Sequence, residues 1–336
     1  MSAVRPRVVL VDGVPMSGLI AEATAPQSDV AAAAAPRSDV AAGAAPRSDV
    51  AAGAAPRSDV AAAAAPRAVI VAFHGGASTA AYFDCPGHPR LSLLRAGALL
   101  GYTVIALDRP GYGASAPYPD AMQRPEQRLE LAYGAVEKIL GSSPRGAGLF
   151  LLAHSAGCEL AVRMAADERA ERVHLIGVEL AGTGLQYDDA AQEILNTATP
   201  TQRPTGLREL LWQPEHLYPA EVLNGITNSS TGAPYEIAMV SDWARQDFPA
   251  LAGHVRVPVQ FSVADHERVW KSDRDAVAKI AAIFTASPRF VINEQVGAGH
   301  NLSLSVSAAA YHMKVLSFVE DCVVARDSAT AELEAS

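Results

Sequence analysis

Residues 151 to 161 read Leu151-Leu152-Ala153-His154-Ser155-Ala156-Gly157-Cys158-Glu159-Leu160-Ala161. An apolar run that fits a buried strand ends at a serine, and helical spacing begins directly after it. A serine at such a junction sits on a tight strand-to-helix turn, which needs small residues two positions away on each side. Ala153 and Gly157 supply them. The hydroxyl then projects above the sheet, and the helix N-terminus behind it favours negative charge nearby. A serine that merely caps an ordinary helix is the competing structural reading.

Working outward, buried β-branched runs alternate with helical patterns. Ala68 to Phe73, Thr103 to Leu107, Leu149 to Leu152, Val173 to Val178, Val257 to Val263 and Arg289 to Asn293 read as strands. Leu91 to Leu100, Arg124 to Leu140, Ala156 to Asp167, Asp273 to Ala286 and Ser305 to Val324 read as helices. Alternation of this kind predicts an α/β fold with a mostly parallel sheet, helices on both faces and a ligand site at the carboxyl ends of the strands. Ahead of it, Val8 to Val11 and Gly18 to Thr24 flank a turn at Asp12-Gly13-Val14-Pro15.

Two stretches break the rhythm. Residues 26 to 67 repeat the ten-residue unit Pro-Arg-Ser-Asp-Val-Ala-Ala-(Gly/Ala)-Ala-Ala, with Gln27 in the first copy, and hold 18 alanines and four valines but no larger apolar residue. Such a segment has almost nothing to bury against its ordering entropy, so it reads as a disordered expansion in a loop between strands, with a spacer or partner-binding arm as the rival. Residues 183 to 255 are too long for a simple crossover and carry Trp212 and Trp243, which suggests an inserted helical cap. The chain then divides into a hairpin (1–25), the repeat (26–67), core (68–182), cap (183–255), core (256–325) and a flexible acidic tail (326–336).

The whole chain has 336 residues, 49% hydrophobic, with a net charge of -9. An acidic protein without a basic stripe is a poor match for nucleic acid. No apolar stretch reaches the roughly 18 residues of a membrane span. The three cysteines, at no metal-ligand spacing, suit free thiols in a reducing, cytoplasmic setting. No cofactor or metal is expected. The oligomeric state is left open, a dimer being one option.

His74-Gly75-Gly76-Ala77 follows the first buried strand, where a turn presents a backbone N–H toward the serine; Gly76 and Ala156 would then supply the oxyanion hole. Together with Asp108-Arg109-Pro110-Gly111-Tyr112-Gly113-Ala114-Ser115 and the late Gly297-Ala298-Gly299-His300-Asn301, these motifs resemble the α/β-hydrolase superfamily over residues 68 to 325 plus the hairpin. The resemblance implies an eight-stranded sheet and a nucleophile, acid, base order, with Ala153 standing where glycine is usual. It places the base at His300, in a flexible Gly-rich loop after the last strand, with His266 in the acid loop as the rival. It places the acid at Glu267, three residues beyond Ala264, with Asp265 and Glu179 as alternatives. The implied reaction is attack by Ser155 on a mostly apolar ester or thioester. The alternatives are acyl transfer or cyclisation by the same triad, or a non-catalytic interaction protein. His74, Trp212, Tyr235 and Trp243 are the candidates for the pocket wall.

Overall fold

The computed structural model describes residues 3–24, 65–85, 87–197, 206–225 and 230–334. Nearly all of the decapeptide block, residues 26–64, lies outside them. Eight strands form one sheet: β1 (Arg5–Val11), β2 (Val14–Ala21), β3 (Val69–Phe73), β4 (Thr103–Leu107), β5 (Leu149–His154), β6 (Leu175–Ala181), β7 (Val259–His266) and β8 (Phe290–Gly299). Their order is β1-β2-β4-β3-β5-β6-β7-β8. The β1–β2 and β2–β4 pairings are antiparallel and the rest are parallel. Between and after the strands come α1 (Leu93–Leu99), α2 (Pro125–Leu140), α3 (Gly157–Ala166), α4 (Arg169–Arg172), α5 (Asp189–Leu195), α6 (Leu207–Trp212), α7 (Ala220–Gly225), α8 (Glu236–Asp242), α9 (Phe248–Ala252), α10 (Arg274–Ile283) and α11 (Ala308–Glu334).

Why the central strands are apolar throughout is visible in the two cores. Successive side chains of a strand point to opposite faces. Val69, Val71, Phe73, Leu149 and Leu151 accordingly join one core with α2, α3 and α10 residues such as Val136, Val162 and Ile280. Ile70, Ala72, Phe150 and Leu152 join the other, with Leu94 of α1 and Tyr311, Val315 and Val319 of α11. Each buried Val, Leu, Ile or Phe is worth about 1.5–3 kcal/mol of transfer free energy, so a strand like β3 is fixed from both sides. The segment between β6 and β7 that holds α5 to α9, called the cap below, contributes to both cores, through Tyr235, Trp243 and Phe248 on one side and Trp212, Leu217 and Tyr218 on the other.

Several boundaries differ from the sequence reading. The hairpin turn is only Asp12-Gly13, both with positive φ, and Val14 and Pro15 already pair in β2. This two-residue geometry matches the twist of antiparallel strands. The last strand runs on to Gly299, so His300 does not lie in a loose Gly-rich loop. Asp265, at an irregularity in β7, accepts hydrogen bonds from the Gly297 and Ala298 N–H groups and holds that end of β8 in place. The last helix continues to Glu334, in place of the flexible tail predicted from residue 326. Its apolar face ends near Val323, but the residues beyond are rich in Ala and Glu, which favour helix without burial.

Candidate active site

Ser155 occupies the junction of β5 and α3 with φ of 52°, in the left-handed region that non-glycine residues rarely visit. Two contacts over-determine that conformation. The Ser155 N–H donates to Ala181 O at the end of β6 (2.8 Å), and Ser155 O accepts from Cys158 N–H in the first turn of α3 (2.9 Å). Close approach of α3 to β3 explains the glycine two residues on. A Cβ on Gly157 would lie 2.5 Å from Phe73 O and 2.7 Å from His74 O.

His300 directly follows β8 and Glu267 directly follows β7, and the parallel pairing of these strands brings the two side by side. His300 Nε2 is 3.1 Å from Ser155 Oγ, and His300 Nδ1 is 3.0 Å from each oxygen of Glu267. Glu267 also accepts from the backbone N–H groups of Arg268 (3.0 Å) and Val269 (2.8 Å). Burial by itself would raise its pKa. The adjacent His300 and these hydrogen bonds outweigh burial and hold the carboxylate below its ordinary value. A serine, an imidazole and a carboxylate are thus joined in one hydrogen-bonded line, an arrangement able to move a proton off the hydroxyl.

The other carboxylates are elsewhere engaged. Asp265 serves the β8 backbone. Glu179 in β6 is fully buried, accepts from Tyr311 OH at 3.0 Å, and has its pKa pushed up to about 8 by burial. His154, beside the serine, points away from it. Its Nε2 donates to the His300 carbonyl at 2.8 Å while its ring stacks on Tyr82, so it supports the backbone at His300. Burial keeps it neutral by lowering its pKa. On the cap side, the Asn301 N–H donates to Tyr218 OH and the Asn301 side chain to Leu211 O.

Gly76 and Ala156 approach each other next to the serine: a Cβ on Gly76 would be 3.9 Å from the Ala156 Cβ. Among the described residues neither backbone N–H donates to a protein acceptor. The four residues expected to wall a pocket are all buried and in contact with other parts of the protein. His74 is fully buried under the turn, its Nε2 accepting from the Arg109 N–H. Trp212 packs edge-on against Tyr218, Tyr235 donates from its hydroxyl to Pro110 O, and Trp243 donates to Thr183 Oγ1 and stacks on Phe248. Of these contacts, the one from Tyr235 to Pro110 ties the segment between β6 and β7 to the loop after β4. An open groove of about 570 Å³ between β8 and α11, lined by Val291, Asn293, Met313 and Phe318, shares no lining residue with Ser155, His300 or Glu267.

Sequence reasoning did not single out Arg109, Tyr112 or Glu236 as a unit. Arg109 is 1% exposed and pairs with Glu236, the first residue of α8. Burial works against its charge, but Glu236, Tyr112 and Tyr235 together more than compensate. The Asp-Arg-Pro-Gly loop was visible as a motif, whereas its acidic partner lies 127 positions away with no local signature. Among the described residues no group of three or more His, Cys, Asp or Glu side chains is placed to hold a metal ion. No described helix is long and apolar enough to cross a membrane.

The structure resembles many solved ones. A membrane phospholipase A described as a bacterial virulence factor aligns with a TM-score of 0.62 at 15% identity, over 95% of this chain and 86% of that one. A lipase in its open form gives 0.60 at 14%, over 96% and 99%. A thioesterase domain from the curacin biosynthetic pathway gives 0.55 at 15%, over 94% and 99%. No curated protein sequence matches the chain. The sequence profile of the alpha/beta hydrolase family matches residues 68–311, which takes in the serine turn, the cap and the histidine alike, and the chain belongs to that family.

Proposed function

We propose that the protein is a serine hydrolase that cleaves a carboxylic ester or thioester through an acyl-enzyme on Ser155. The observation that carries this reading is the unbroken line Ser155 Oγ, His300 Nε2, His300 Nδ1, Glu267, with contacts of 3.1 and 3.0 Å. As Oγ attacks the substrate carbonyl, its proton passes to Nε2, and the imidazolium keeps its Nδ1 proton on the bond to Glu267. The N–H groups of Gly76 and Ala156 receive the oxygen of the tetrahedral intermediate, each such donor being worth on the order of 3 kcal/mol of barrier. His300 then protonates the leaving alcohol or thiol, and water repeats the sequence on the acyl-enzyme. A lipase and a thioesterase domain share this fold, which agrees with an ester or thioester as the substrate class.

Labelling with a fluorophosphonate probe tests the nucleophile. The folded wild type should label and Ser155→Ala should not. Equal labelling of both removes Ser155 from the role, and no labelling of the folded wild type removes the serine mechanism. Product analysis with a competing alcohol separates hydrolysis from acyl transfer.

A further inference from the structure

The peptide group joining Gly75 to Gly76 carries the N–H proposed for the oxyanion hole, and its carbonyl oxygen is gripped by two donors. His74 Nδ1 lies 2.8 Å from Gly75 O. Because His74 Nε2 accepts from the Arg109 N–H at 3.1 Å, the ring proton sits on Nδ1, which therefore donates. Arg109 Nη2 donates to the same oxygen at 3.1 Å, and Nη1 reaches Ala156 O at 3.4 Å. A peptide is planar, so fixing the carbonyl fixes the direction of the opposite N–H. A charge-assisted bond to the oxygen also polarises the N–H.

The cap holds this arrangement from the other side. Glu236 pairs with Arg109 through one oxygen and accepts from Tyr112 OH through the other. Tyr112 OH in turn accepts from the Ala77 N–H at 3.1 Å. Ala77 has φ of 54°, a conformation that an alanine keeps only when its surroundings impose it. Glu236 therefore reaches both neighbours of Gly76, Gly75 through Arg109 and Ala77 through Tyr112. It is also close to Gly76 itself, since a Cβ there would be 3.5 Å from Glu236 Oε2. An unpaired carboxylate at that distance would repel a developing oxyanion; Arg109 neutralises it and the Tyr112 hydroxyl hydrogen-bonds it.

We propose that Glu236 is a positioning residue: seated on Arg109 and Tyr112, it sets the Gly75–Gly76 peptide, so the oxyanion hole is complete only while the cap is docked. This rests on the serine-hydrolase reading above. Glu236→Ala is expected to lower kcat on a p-nitrophenyl ester by about ten- to a hundredfold, less than the full loss of an oxyanion donor, with KM nearly unchanged. Glu236→Gln, which keeps the shape and an acceptor, should lose less, and Tyr112→Phe should fall between wild type and Glu236→Ala.

The readout that a merely structural role does not move is inhibition by an alkyl boronic acid, whose tetrahedral adduct with the serine mimics the oxyanion. Its inhibition constant should rise across the series in step with the fall in kcat/KM. Retained or raised kcat in Glu236→Ala, or a fall in kcat with unchanged boronate affinity, overturns the positioning role while leaving the triad standing. A folded wild type that neither labels with fluorophosphonate nor turns over the ester overturns both.

Discussion

Replacing Glu267 by glutamine removes one charge and turns one hydrogen bond around. The side chain is 4% exposed, and each oxygen lies 3.0 Å from His300 Nδ1. Oε1 also takes the backbone N–H groups of Arg268 and Val269, so in the variant the amide oxygen belongs there and the NH₂ falls at the Oε2 position. Two donors, NH₂ and Nδ1–H, then compete, and the imidazole gains by moving its proton to Nε2. In that form it cannot accept the Ser155 proton. The same acid-to-amide change in a serine protease costs about 10⁴ in kcat. Because the amide oxygen of the introduced glutamine still lies within reach of Nδ1, the expected loss here is about 10³ to 10⁴, or roughly 4–5.5 kcal/mol. The assay is steady-state hydrolysis of p-nitrophenyl butyrate from pH 6 to 9, with thermal melting as a check on folding. Asp265→Asn is the control. It gives up one of two acceptors for the β8 backbone, at about 1 kcal/mol of stability, and should keep kcat within a few-fold. A Glu267→Gln enzyme with more than a tenth of wild-type kcat, or a larger loss in Asp265→Asn, refutes the assignment of the acid.

Other expectations follow from neighbouring features. Burial raises the Glu179 pKa to about 8 from an ordinary 4.5, so the folded state holds a proton that the unfolded chain releases. Its stabilising contribution is complete below about pH 4.5 and is lost as the pH climbs toward 8. Glu179→Gln, which keeps the bond from Tyr311, should therefore gain in melting temperature relative to wild type between pH 5 and 8 and hold that gain above; a pH-independent difference contradicts the buried proton. Gly157→Ala drives a methyl into two backbone carbonyls and should cost about 1–3 kcal/mol or more, together with most of the activity, as melting curves and ester turnover would register. Deleting residues 27–56, three whole repeats, shortens the connection between β2 and β3 and should raise stability by about 1 kcal/mol with unchanged kcat. Lost solubility or turnover would give the repeat a role of its own.

Much of the sheet was legible because its strands are buried on both faces and carry unbroken apolar runs; Thr103 to Leu107 is read to the residue. The serine turn was legible because its constraints are local, a strand, small flanks and a helix within eleven positions. The end of β8 was not, since Glu294 and Gln295 look like loop residues. They extend because β7 pairs with them and Asp265 holds Gly297 and Ala298. In the cap, aromatic content alone does not tell a wall from a wedge. That Pro110 O and Thr183 offer the polar atoms of Tyr235 and Trp243 partners is a fact of tertiary placement. The Arg109–Glu236 pair was hidden for the same reason, as charge complementarity across that separation leaves no period or spacing to read.

The chain leaves β2 and re-enters β3 at nearly one place. The Thr24 N–H and hydroxyl both donate to Ala98 O, and the Arg67 N–H donates to Gly101 O, at the end of α1. Both strands are thereby in register whatever lies between the two tethers. The two tethers make this point the natural one at which to graft a tag or a second domain.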